Sequence, residues 1–307
     1  MKKGKIAAIV IGSVAAFVLL AVLVVGTVSH FLTSRFPEIS IGITSEKYPD
    51  SDKYSVGNAS VSENINRAEI YWKSGDITVE AYDGETVEIS ETGAESDSDR
   101  MRYLVSDGKL IIHHGKSGVT AGMLKNNEKS LTVKIPQSTA SSLTELKIDS
   151  ASSEVSVTGI TLTKKLNIDN VSGEIKLNNI TAQTLDIDTA SGSIAADGIT
   201  VDVLKADTVN GDISANGAIR RIESDATSGA VNITTSVLLE AAECDSVSGN
   251  ITLTIPEGNG FTAELDTVSG KFNCDLPVVM RGDKCIHGDG SAEFEFDTTS
   301  ADVTVKY

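Results

Sequence analysis

Positive charge is scarce in this chain: 26 Lys and Arg stand against 43 Asp and Glu, a formal net charge of −17. With no basic face to neutralise phosphate, nucleic acid is excluded as a partner. Such acidity implies solubility and a capacity for cations. Histidine is sparse and scattered, at His30, His113, His114 and His287. An adjacent pair on a strand turns its rings to opposite faces, a poor metal pair, so exposed or capping roles are expected for these histidines. The many serines include no G-x-S-x-G elbow, and the glycines lack the strand-to-helix setting of a phosphate loop. Solenoid enzymes acting on acidic polysaccharides combine carboxylates with Arg or Lys on one face. The repeat region has few arginines, chiefly Arg220, Arg221 and Arg281. That enzyme class is a minor alternative, and the expectation is a non-enzymatic chain without cofactor.

What the chain does have is a repeat. The pattern apolar-x-apolar-Asp-x-x-Ser-Gly-x-apolar-x-apolar recurs about every twenty residues, as in LKIDSASSEVSV from Leu146, LNIDNVSGEIKL from Leu166, LDIDTASGSIAA from Leu185 and LKADTVNGDISA from Leu204. It continues from Ile222, Ala242, Ala263 and Phe294. A fixed period of this length signals a stacked array. Each copy carries two runs of period-two alternation, the strand signature, separated by Asp, Ser, Gly, Asn and Thr. The predicted fold is all-β: a parallel β-solenoid, or β-helix, of roughly 20-residue coils spaced about 4.8 Å apart.

Parity divides inside from outside. With Leu166, Ile168, Ile175 and Leu177 inward, Asn167, Asp169 and Lys176 point out. Cys244 and Cys274 fall on inward positions, and Cys285 lies in the connection between the last two copies. A Cys274–Cys285 disulfide is one option outside a membrane, and three cysteines leave one thiol over. The solenoid is assigned to 142–307, ending with its last copy at Tyr307. Residues 63–141 form a less regular β region that caps it, with Asp83-Gly84 and Asp107-Gly108 as hairpin signals.

One repeat position stacks Asp149, Asp169, Asp188, Asp207, Asp225, Asp245, Asp266 and Asp297. Each Asp is expected to accept backbone N–H bonds at its own corner. Serines three residues later, including Ser172, Ser191, Ser228, Ser248 and Ser269, would complete the turn. Gly173, Gly192, Gly211, Gly229, Gly249 and Gly270 would supply positive φ or tight corner packing. The alternative is a calcium ladder on Asp149 through Asp266, against which stands the absence of the glycine-rich nonapeptide of calcium-binding β-rolls. Arg281-Gly282-Asp283 sits in the long connection before the last copy and is read as a simple turn, with integrin presentation as the alternative.

Lys2, Lys3 and Lys5 precede an uncharged run over 6–28 that is long enough to span a bilayer. It reads as an uncleaved anchor with residues 1–5 cytoplasmic and everything after Val28 outside the cell. Residues 29–62, with Pro37 and Pro49, read as a stalk.

The [TS]-x-SG-x-I-x-L units, the shorter early strands and the closing GDGSAEFEFDTTSADVTV resemble the bacterial "putative adhesin" family of β-strand repeats, a domain of unknown function. The resemblance covers about 63–307, and Ser300-Ala301 departs from its Ser-Gly. It implies a solenoid ectodomain in the bacterial envelope, with relatives near envelope-stress or antimicrobial-peptide response systems, and no catalytic residues. Two functions follow as expectations. One is an adhesin-like binding or scaffold module presenting Lys147, Asn167, Asp186 and Lys205 to a glycan, peptide or envelope protein. The other is an accessory of envelope-stress signalling acting through a membrane partner.

Overall fold

The computed structural model describes residues 45–46, 48–116, 119–120, 129–141 and 143–307. The expected tail 1–5, the anchor 6–28 and the opening of the 29–62 stalk lie outside the described residues. Among those described, no helix is long and apolar enough to cross a membrane. Strands make up most of the rest, with helix limited to a 3-10 turn, Ser51–Lys53, and one short α-helix, Gln137–Ala140.

The repeat folds into parallel coils. Long strands Leu143–Ser152, Leu162–Ser172 and Thr181–Ser191 pair in register, Leu146 beside Leu166 and Leu166 beside Leu185. The second half of each copy stacks likewise, Val155 beside Ile175 and Ile175 beside Ile194. Alternation decides what is buried: Leu166, Ile168, Ile175 and Leu177 are fully enclosed while Lys176 is exposed. Each large aliphatic chain so enclosed contributes about 1.5–3 kcal/mol, and coil-to-coil hydrogen bonds satisfy the backbone. Towards the C-terminal end the core turns aromatic, with Phe261 stacked on Phe294 at 4.7 Å between ring centroids.

The two ends depart from the sequence expectation. Arg67–Ser74 and Ile77–Tyr82, placed above in an irregular cap, form a regular coil with Ile70 beside Ile148, Ser74 beside Ser152 and Ile77 beside Val155. On the far side of that coil lie Lys109–His113 and Ser130–Pro136. The chain therefore builds outward first, then crosses back over its opening coil to begin the repeats. Asp107 and Gly108, at φ 52° and 73°, do close the expected hairpin between Arg102–Ser106 and Lys109–His113. Asp83-Gly84 does not. Ser130–Pro136 lies between the strands flanking it, parallel to Ile77–Tyr82 and antiparallel to Val87–Thr92, because the edge of a coil takes a parallel neighbour. Part of the expected stalk is also sheet: Ser55–Val56 and Ala59–Val61 pair antiparallel with Arg102–Ser106 and Val87–Thr92, which gives those outer strands partners.

At the other end the last copy is not last in space. Ala292–Thr298 lies between Ala241–Ser246 and Phe261–Thr267, and Val303–Lys306 between Ile251–Thr254 and Phe272–Cys274. The coil beginning at Phe261 is thus outermost, and a hairpin of Val278–Arg281 and Lys284–His287 covers it antiparallel. Cys285 sits on that hairpin, buried, and not in a loop. All three cysteines are free thiols.

Candidate functional site

The outward side of the long strands carries two columns of side chains in register. One runs Tyr71, Asp149, Asp169, Asp188, Asp207, Asp225, Asp245, Asp297, Asp266. The other, two residues earlier, runs Glu69, Lys147, Asn167, Asp186, Lys205, Glu223, Glu243, Glu295, Glu264. Parity correctly turns the aspartates away from the core, yet not all reach solvent. Asp149 is 1% and Asp169 4% exposed, the next four are half-buried, and Asp266 and Asp297 are exposed. Neighbours one coil apart shield one another along the stack.

That shielding sets the protonation chemistry. Burial, opposed by Lys147, raises the Asp149 carboxyl to about 6. Burial and the adjacent carboxyl of Asp207 lift Asp188 to about 7, and burial with Asp225 does the same for Asp207. Asp245 also reaches about 7, through burial and its neighbours Asp225 and Asp297. Lys147 Nζ is 2.7 Å from Asp149 Oδ2, and the Asp225 amide donates to Asp207 Oδ1 at 3.1 Å. The column supplies one carboxylate per coil, a line and not a cage. Among the described residues no group of three or more His, Cys, Asp or Glu side chains is placed to hold a metal ion.

The corner chemistry belongs to a different residue from the one expected. In four copies the residue after the Asp bonds across the turn to the Gly position three residues on. Ser246 Oγ donates to the Gly249 carbonyl at 2.7 Å and accepts from its amide at 3.1 Å. Asn170 Nδ2 donates to the Gly173 carbonyl at 3.2 Å, Thr267 Oγ1 accepts from the Gly270 amide at 2.8 Å, and Thr298 Oγ1 donates to the Ala301 carbonyl at 3.2 Å. Ser150, Asn170, Thr189, Thr208, Ser246 and Thr298 are buried at this position, Ser150 bonding Asn170 Oδ1 on the next coil at 2.7 Å and Ala226 standing in one copy, and the polar residue after most of the aspartates was the signal in the sequence. The motif serines instead tie coils together. Ser172, Ser228, Ser248 and Ser269 donate to the carbonyls of Ala151, Val209, Thr227 and Thr299 on the adjacent coil; Ser191 lies in register beside Ser172 and is exposed.

The glycines are needed for closeness more than for φ. Of the column only Gly173 and Gly229 have positive φ. At Gly173, Gly192, Gly211, Gly229, Gly249 and Gly270 alike, a Cβ would fall 1.6–2.1 Å from a carbonyl oxygen of the neighbouring coil.

Charge along the face is uneven. In the first half Lys109 pairs with Glu69, Lys147 with Asp149, Lys165 with Asp186 and Lys205 with Glu223. From Glu223 onward both columns hold carboxylates alone, with Lys284 on the cap hairpin 3.0 Å from Glu264. The end of the face nearest the opening coil is plugged. His113 stacks between Tyr48 and Tyr71 at 3.8 and 4.8 Å, and His114 packs edge-on to Trp72. Both rings are buried in this plug, in keeping with the capping and not the exposed role expected, and burial pushes His113 down to about 4 and His114 to about 2. Beneath them Lys129, fully enclosed, bonds Glu91 at 2.9 Å and the carbonyls of Asp99 and His114. The other end shows the Arg281-Gly282-Asp283 turn, with Val279 and Met280 each 62% exposed beside it.

The model of the Toastrack DUF4097 family matches residues 65–306. No curated protein matches the chain. Among solved structures, one described as a putative lipid binding protein from Parabacteroides distasonis is 17% identical with a TM-score of 0.52, covering 82% of this chain and 96% of that one. A putative adhesin from Bacteroides fragilis is 13% identical with a TM-score of 0.45, covering 86% and 99%. The first likeness is one of fold, and the second is too distant to argue from.

Proposed function

This chain belongs to the Toastrack DUF4097 family, and from that membership we propose that it is a non-enzymatic, adhesin-like binding rod of the cell envelope. In this reading residues 6–28 hold it in the membrane with its N-terminus inside, and the solenoid is displayed outside. The observation that carries a binding role is the outward face from Glu223 to Asp266. There, two in-register columns present Glu223, Asp225, Glu243, Asp245, Glu295 and Asp297 side by side on the sheet. Strands stacked about 4.8 Å apart hold the backbones under such groups at fixed spacing, so that only side-chain rotamers are ordered at the moment of binding. The partner such a face fits is a basic segment of an envelope protein or a cationic peptide, drawn by charge and sensitive to salt.

The test titrates the full-length chain in zwitterionic nanodiscs with an oligolysine peptide at low and high salt. A variant with Glu223→Gln, Glu243→Gln and Glu295→Gln is run beside it. Binding that is salt-sensitive and weakened about tenfold or more by the three neutralisations supports the reading, each lost contact being worth up to about 1 kcal/mol. Equal binding by the two proteins, or none by either, overturns it. Protease digestion of intact cells checks display: loss of the solenoid without lysis is the expected result.

A further inference from the structure

We infer that the aspartate column is a proton-sharing ladder: neighbouring carboxyls hold protons in common in the folded rod, and the coils loosen when those protons leave. The strand register sets the carboxyls of Asp149, Asp169, Asp188 and Asp207 beside one another on successive coils, with backbones about 4.8 Å apart. An ionised carboxylate only accepts, so a bond between two carboxyls needs a proton on one of them. A second observation points the same way. Asp149 is 1% exposed, its Oδ2 is taken by Lys147, and its Oδ1 is buried with no donor in reach. A proton shared with the next coil satisfies that oxygen.

The surroundings offer little else to neutralise the stack. On the same strands, two residues before each Asp, stand Lys147, Asn167, Asp186, Lys205, Glu223, Glu243 and Glu295. Lys147 serves Asp149, but Lys205 is bonded to Glu223 and Lys165 to Asp186. Two residues after each Asp the outward positions are Ala151, Val171, Ala190, Val209, Thr227 and Val247, which carry no charge and shield the carboxyls. Tyr71, at the head of the column, gives its hydroxyl to Glu69. Beyond the Asp225 amide on Asp207 Oδ1, no cation among the described residues is paired with Asp188, Asp207 or Asp225, and the values near 7 reached by Asp188, Asp207 and Asp245 agree with this.

The direction of the pH effect follows. A carboxyl raised in the folded state binds more protons folded than unfolded, so stability is greatest below its unfolded value of about 4 and falls as pH climbs towards 7. Each unit of raised pKa on each group is worth about a tenfold change in the folding equilibrium constant. His113 and His114, held neutral at the head of the column, act in the opposite sense on acidification, so the ladder is read as a difference between two proteins.

The experiment is infrared spectroscopy of the full chain in a detergent without ester groups, titrated from mildly acidic to alkaline pH, with Asp188→Asn/Asp207→Asn as the variant. The expected result is a protonated-carboxyl band that persists to neutral pH in the wild type and is reduced in the variant. Thermal midpoints should also fall less steeply with rising pH in the variant. A wild-type protein whose protonated band vanishes in the ordinary carboxylate range overturns the ladder, and this arm stands even if the variant does not fold. Identical pH dependence of the two midpoints overturns it as well. Neither outcome bears on peptide binding by the glutamate column.

Discussion

Placing an alanine at Gly249 puts the glycine column to a direct test. Its Cβ would lie 1.6 Å from the Gly229 carbonyl oxygen and 2.4 Å from the carbonyl carbon, both backbone atoms that no rotamer change can move. Ordinary contact is ~3.5 Å, so the two coils must part by ~2 Å at this corner. The hydrogen bonds within reach of that movement are the Val247 and Ser248 amides to the carbonyls of Ala226 and Thr227, at 3.1 and 3.3 Å, and the two bonds joining Ser246 Oγ to Gly249. At ~1 kcal/mol each, their loss amounts to about 3–4 kcal/mol. Gly282→Ala is the control. It has φ +64° with nothing within 4 Å of a Cβ, so it pays only left-handed strain, about 1–2 kcal/mol. Urea unfolding gives the global difference. Because coils unfold as coupled neighbours, amide exchange at Val247 and Ser248 locates it. If Gly249→Ala proves no less stable than Gly282→Ala, or if those two amides stay protected, close coil approach is not what the glycines provide.

Other consequences follow from single residues. Lys129→Met takes the enclosed cation from Glu91, leaving it Arg100 at 3.9 Å, and should cost up to about 3–5 kcal/mol; adding Glu91→Gln should restore much of that, read by the fluorescence of Trp72, whose Nε1 donates to the Lys129 carbonyl at 2.9 Å. Removing residues 292–307 takes out a coil that lies between two others, so exchange protection should vanish over Phe261–Cys274 as well and not merely fray from the new end. His113 and His114 are held neutral by burial; their stabilisation is present above the ordinary histidine value and lost as pH falls through about 6 towards 4, seen as earlier exchange of the His114 amide bonded to Tyr71. The Cys244 thiol, 1% exposed and pushed strongly upward by burial, should resist alkylation until the rod is unfolded, measured by mass spectrometry.

The regular part of the rod was readable because period-two alternation and a twenty-residue repeat specify register and face together. Leu166 and Ile168 could point only one way once Asn167 and Lys176 were assigned outside. The corner was misread for a local reason. Asp and Ser are the commoner turn formers, yet Asp149 to Asp266 face outward, and the inward parity of Asn170, Ser246 and Thr298 lets the residue after Asp bond across the turn. The burial of His113, His114 and Lys129 was not legible, since it depends on Tyr48, Trp72 and Glu91 arriving from distant segments.

The crossed ends have a common logic. A stack of parallel strands finishes on an open row of backbone donors and acceptors, which invites pairing with another chain. Continuing the coil cannot remove that row; an antiparallel cover can. At the opening end the cover is Val87–Thr92 and Arg102–Ser106, and at the other it is Lys284–His287. Reaching a cover requires the chain to leave the stack, and both departures occur where the period breaks, between Tyr82 and Leu143 and between Cys274 and Ala292. By returning inside its own outermost coil the chain places Arg67–Ser74 and Ala292–Thr298 between two neighbours each. Unzipping then cannot start from either strand alone, because freeing one means breaking two ladders together. That coupling lets a rod one coil thick keep its carboxylate face in register from end to end.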